Sequence, residues 1–128
     1  MIQLKTIQRP NPQDATAARK YYVSTQSSGE VSLEEMSESI SEKCTLTETD
    51  VLAALTALTK EMTTHLMDGK IVRFGTFGSF QLGLSSNGVE TEVESSRLQV
   101  KKARVKFRPG RRIEDSLLRL KYTLAAKQ

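Results

Sequence analysis

Hydrophobic positions change their spacing along the 128-residue chain, and each change marks an element. Leu33, Met36 and Ile40 recur at helical intervals behind Ser32 and Glu35, which together form a capping box. Val51, Leu55, Leu58, Met62 and Leu66 trace a longer stripe at spacings of three and four. Thr47 with Glu48 and Asp50 signals its start, and Leu46 stands where a hydrophobic staple would meet Val51. Asp68-Gly69 ends it, because glycine tolerates the left-handed conformation that closes helices. The pattern predicts two consecutive helices, a helix hairpin.

From Lys70 the period falls to about two. Ile71, Val72, Phe74, Phe77, Phe80, Leu82 and Leu84, interrupted by Gly75 and Gly78, predict a strand or a bent pair of strands. Ser85-Ser86-Asn87-Gly88 is a turn signal, and Val89 to Glu94 alternates only weakly. Leu98 to Phe107 predicts a further strand with Ala103, Val105 and Phe107 on one face and Lys102, Arg104, Lys106 and Arg108 on the other. Pro109-Gly110 stops it, and Ile113, Leu117, Leu120 and Leu124 outline a last amphipathic helix. At the other end, Arg9-Pro10-Asn11-Pro12 reads as a turn or extended segment and Lys20 to Thr25 has strand composition. Residues 1–30 are therefore expected as an extension, either an ordered appendage or a tethered arm, in front of a domain over residues 31–128.

Composition narrows the chemistry. With 38% hydrophobic and 27% charged residues, the chain has the make-up of an ordinary globular domain. No apolar run approaches the roughly 18 residues of a spanning helix, and the first residues lack a secretory apolar stretch, so a cytoplasmic location is expected without a membrane partner. One cysteine, Cys44, and one histidine, His65, supply no set of zinc ligands. His65 is expected to be structural or solvent-facing, Cys44 a buried inert thiol, and Met36, Met62 and Met67 core residues. Gly75-Thr76-Phe77-Gly78 lacks the Lys-Ser/Thr ending of a phosphate loop. No catalytic group, cofactor or small-molecule substrate is assigned.

Charge is distributed unevenly. Residues 1–29 carry a net +3, residues 30–68 a net −7 and residues 69–128 a net +8. Between Arg97 and Arg112 stand eight cations (Arg97, Lys101, Lys102, Arg104, Lys106, Arg108, Arg111, Arg112) and no carboxylate. A row of one sign repels itself, so an anionic partner is expected opposite. A lysine-rich edge strand that blocks aggregation is the plainer explanation of part of it. The arginines, suited to phosphate forks, and the continuation through Arg111 and Arg112 into a helix start favour a polyanion; pairing of those two with Glu114 or Asp115 is the competing reading.

Asp68-Gly69-Lys70-Ile71-Val72-Arg73-Phe74-Gly75-Thr76-Phe77, followed about thirty residues later by Phe107-Arg108-Pro109-Gly110, resembles the bacterial histone-like HU and integration host factor family over about residues 32–121. The likeness is to a divergent subgroup with an N-terminal extension. It implies an α+β fold: an N-terminal helix hairpin, a three-stranded antiparallel β-sheet with a protruding β-arm, and a C-terminal helix, in an intertwined homodimer. It implies non-sequence-specific binding of double-stranded DNA, with the arms in the minor groove. Arg73, Arg97, Lys101, Lys102, Arg104, Lys106, Arg108, Arg111 and Arg112 are the candidate DNA-binding residues. The sequence departs from the family at the arm, which has no proline between Gly83 and Lys101 and carries Glu90, Glu92 and Glu94, so the proline-driven kink is not carried over. That acidic segment and the extension motivate the alternative of an HU-fold protein-interaction module.

Overall fold

The computed structural model describes residues 1–10, 12–14, 16–88, 90, 92 and 100–124. These residues form two units, Leu33–Ser116 and a second made of Met1–Ser32 with Leu117–Gln128.

In the first unit, α1 (Leu33–Ser41) packs against α2 (Glu48–Met67). The capping signals explain the ends of α2. Thr47 Oγ1 accepts the Asp50 N–H at 3.2 Å, satisfying one of the amides that a first turn leaves unpaired. At the other end Gly69 adopts φ 81°, its N–H donates to the Leu66 carbonyl at 3.0 Å, and the Lys70 N–H donates to the His65 carbonyl at 3.1 Å. This is the paired closure that a left-handed glycine makes possible. The helix α2 packs in turn on β3 (Val72–Phe74) and β4 (Gly78–Ser86).

The strands β3, β4 and β5 (Val100–Pro109) form an antiparallel sheet in that order, with a register shift between Ser85 and Ser86. Phe80 pairs with Val72 on one side and Phe107 on the other, while Leu82 faces Val105 and Leu84 faces Ala103. Opposed residues share a face, so this side of the sheet is apolar. All four phenylalanines of the chain gather on it, with ring centroids 5.8 Å apart for Phe74–Phe77, 5.5 Å for Phe77–Phe107 and 4.9 Å for Phe80–Phe107. The aromatic contacts do not close a core. Among the described hydrophobic residues only Val51 and Leu66 are buried, and Met36, Met67, Phe74, Phe77, Val105 and Phe107 all remain exposed in the single chain. Two expectations change accordingly: Met36 and Met67 are not core residues here, and Cys44 lies beyond the end of α1 as an exposed thiol. The helix α1 ends at Ser41, and the turn that follows it, residues 42–47, is exposed throughout.

The second unit is a three-stranded sheet ordered β2-β1-β6, from β1 (Ile2–Arg9), β2 (Lys20–Gln26) and β6 (Tyr122–Leu124). The hairpin β1–β2 turns through Asp14, whose Oδ1 accepts the Thr16 N–H at 3.0 Å and the Thr16 hydroxyl at 2.6 Å. The last helix, α3 (Arg111–Leu117), is shorter than the spacing through Leu124 predicted. Tyr122-Thr123-Leu124 instead pairs in parallel with Ile2-Gln3-Leu4. Tyr and Thr favour extended backbone, and the ladder satisfies their peptide groups. Residues 1–30 thus share their sheet with the segment after α3.

Candidate nucleic-acid interface

The register of β4 and β5 settles which cations share a face. Arg108 is opposite Ser79, Lys106 opposite Gln81, Arg104 opposite Gly83 and Lys102 opposite Ser85. Arg73 of β3 is opposite Ser79 on its other side, so Arg73 and Arg108 flank one serine. The phenylalanines and aliphatic residues occupy the alternate positions and point to the other face. Five cations therefore stand on one side of the sheet among Ser79, Gln81, Gly83 and Ser85. No Asp or Glu occurs in β3, β4 or β5.

Strand geometry spaces the β5 cations by about 6.6 Å, and Lys102 to Arg108 spans about 20 Å. The small neighbours on β4 leave room for the long side chains. Gly83 makes this plain: a Cβ there would stand 2.5 Å from Lys106 Cε and 3.2 Å from its Nζ, because the lysine stem lies across the glycine. Arg73, Lys106 and Arg108, with Ser79 and Gln81, line an open groove of about 690 Å³. Two ion pairs among the described residues, His65–Glu61 and Arg111–Asp115, lie outside this row.

The other sequence candidates sit apart from it. Lys101 falls at the register shift, between the pairs Ser85–Lys102 and Ser86–Val100. Arg97 lies outside the described residues, as does most of the expected arm. Arg111 and Arg112 open α3, where the Arg112 N–H already donates to the Thr76 carbonyl at 3.1 Å. Arg111 Nε lies 3.8 Å from Asp115 Oδ2 with both groups largely exposed, an arrangement that contributes little in water. The polar positions Ser79, Gln81 and Ser85 were not among the sequence candidates. Their signal was the alternation Ser-Phe-Gln-Leu-Gly-Leu-Ser over residues 79–85, which assigns them to the face of the cations once the strands are paired.

Two sequence motifs meet at the lower end of this sheet. The Gly110 N–H donates to the Phe77 carbonyl at 2.8 Å, so the Gly75-Thr76-Phe77-Gly78 loop docks against Pro109-Gly110 and the start of α3. The loop ties the β3–β4 turn to the end of β5 and the start of α3. A family model describing an HU domain fused to wHTH, Ig or a glycine-rich motif matches residues 1–123. The chain belongs to this HU-HIG family. Its fold is similar to the solved structure of a Bacteroides vulgatus protein described provisionally as a bacterial DNA-binding protein. The TM-score is 0.67 at 8% identity, covering 99% of this chain and 49% of that one, so the HU-HIG chain spans about half the length of that neighbour. No curated protein matches the chain.

Proposed function

We propose that this HU-HIG chain binds double-stranded DNA without sequence preference, laying the basic face of β3-β4-β5 against the phosphate backbone. The observation that carries the reading is the shared face of Arg73, Lys102, Arg104, Lys106 and Arg108, on three strands that contain no Asp or Glu and beside Ser79, Gln81 and Ser85. Neutralising phosphates needs cations at regular spacing and no base readout. Arg presents a fork that matches phosphate, and Ser and Gln add neutral donors. Lys102 to Arg108 covers about 20 Å, roughly the rise of six base pairs at 3.4 Å each.

β5 is an edge strand in the single chain, and lysines on edges suppress unwanted pairing. That device needs only one or two charges. It does not account for two arginines in the row or for Arg73, which β3 contributes from the opposite edge.

The reading includes a homodimer. The face opposite the cations leaves Phe74, Phe77, Val105 and Phe107 exposed, together with Met36 and Met67 of the helices, and a second copy would cover them. Two copies would then present two basic faces to one duplex.

The test is the triple variant Lys102→Gln/Arg104→Gln/Lys106→Gln, measured against several unrelated duplexes. Affinity should fall alike for all of them. Loss confined to one sequence would indicate specific recognition instead. Exposed Tyr21 and Val23 on the edge strand β2 favour a second reading, in which a partner protein adds a strand there. Undiminished duplex binding by the triple variant, with a protein partner retained after nuclease treatment, would select it.

A further inference from the structure

The β2-β1-β6 sheet repeats the chemistry of the basic face in a different unit. Its register places Lys5 opposite Ser24, Ile7 opposite Tyr22 and Arg9 opposite Lys20. Opposed residues share a face, so Lys5, Arg9 and Lys20 stand together on one side with Gln3, Tyr22, Ser24 and Gln26 and one aliphatic residue, Ile7. The alternate positions put Ile2, Leu4, Tyr21, Val23, Tyr122 and Leu124 on the other side, together with Thr6, Gln8 and Thr25 and with no charged residue. No Asp or Glu occurs in β1, β2 or β6. The whole unit carries seven cations against Asp14 and Glu30, so the chain's positive excess resides here rather than in the unit that holds α1 and α2.

Arg9 opposite Lys20 is the informative pair. Like charges directly across a ladder oppose strand pairing, and any neutral residue at either position would relieve it. All three cations are exposed, and Tyr22 is about half exposed at 48%. Lys, Arg, Tyr, Ser and Gln are the side chains that donate to phosphate oxygens.

We infer that this hairpin face is a second contact surface for the phosphate backbone of duplex DNA, acting in addition to the β5 row. The inference rests on the duplex-binding reading above. Charge complementarity selects the occupant: a regular polyanion neutralises Arg9 and Lys20 together, and Tyr22, Ser24 and Gln26 on the same face add neutral donors.

The experiment compares the full chain with Lys5→Gln/Arg9→Gln/Lys20→Gln and with the β5 triple variant, titrating salt against a random-sequence duplex and recording thermal melts. Each phosphate contact contributes about 0.9 to the slope of log K against log salt. The hairpin variant should therefore bind with a slope shallower by about 2 to 3 per chain, and its Tm should hold or rise as the like-charge pair is removed. A wild-type slope in the hairpin variant, with a collapsed slope in the β5 variant, overturns this inference and leaves the main reading standing. A wild-type slope in the β5 variant overturns the main reading. If Arg9→Gln alone lowers the Tm, and binding falls only at temperatures where that variant melts, the face is structural and the inference fails. Binding to vesicles of anionic lipid that is lost in the hairpin variant, with the duplex slope unchanged, also overturns it.

Discussion

The backbone N–H of Gly110 donates to the carbonyl of Phe77 at 2.8 Å across a sequence gap that contains all of β4 and β5. Gly110 lies so close to the loop that a Cβ would run into the Thr76 carbonyl and stand 2.9 Å from the Gly78 amide nitrogen. Gly78 is confined as well: its φ is 151°, and a Cβ would stand 2.5 Å from the Arg108 carbonyl oxygen. The two motifs that resemble the HU family are thus one joint, and it fixes the end of the strand that carries the cations.

Gly110→Ala should destabilise the chain by about 1–3 kcal/mol or more, because the atoms in its way, from Thr76 and Gly78, are all backbone and cannot swing aside. Gly75→Ala meets no atom within 4 Å and has only its φ of 54° against it, so a loss near 1 kcal/mol is expected. Urea unfolding of the two variants beside the parent chain checks the order. Equal midpoints for Gly110→Ala and the parent would mean the joint is loose.

Much of this arrangement could be read from local pattern. The cap at Thr47, the glycine stop at Gly69 and the alternation through Lys102 to Arg108 are decided by neighbours a few residues away, and the structure has them where the pattern puts them. The N-terminal sheet is different. Ile2 and Leu4 alternate, but Ile7 falls on the opposite face, so no clean strand period marks β1. Leu117, Leu120 and Leu124 sit at helical spacing although Leu124 lies in a strand, because its partner is Leu4 at the far end of the chain. Parallel pairing over that separation leaves no local trace. The basic face of the hairpin was hidden for the same reason, since Arg9 and Lys20 become neighbours only through the register.

Asp14 should titrate below its ordinary value of 3.8, because the Thr16 hydroxyl and then the Thr16 N–H donate to its carboxylate. A depressed value means that the turn's contribution is present above about pH 4 and is lost as pH falls through the folded-state value. Thr16→Val removes the hydroxyl and keeps the N–H. The Asp14 midpoint followed by carbon-13 NMR should move up toward 3.8 without fully reaching it. An unmoved midpoint would show that the 2.6 Å hydroxyl contact contributes nothing in solution.

Val105 lies on the apolar face and is 50% exposed in the single chain. If a second copy covers this face, Val105→Lys should convert a dimer into a monomer in sedimentation equilibrium, since an unpaired charge would be buried in the interface. A surface position without a partner would accept the lysine within about 0.5 kcal/mol and without change in mass. Unchanged sedimentation of a dimeric species would place the interface elsewhere.

The regular row of cations on β5 is tested most directly by the salt dependence of binding to a random-sequence duplex. With roughly 6–10 phosphates neutralised by a dimer, affinity should drop about 10³–10⁵-fold between 50 and 200 mM salt. A response that stays flat over that range would contradict phosphate tracking by Lys102, Arg104, Lys106 and Arg108.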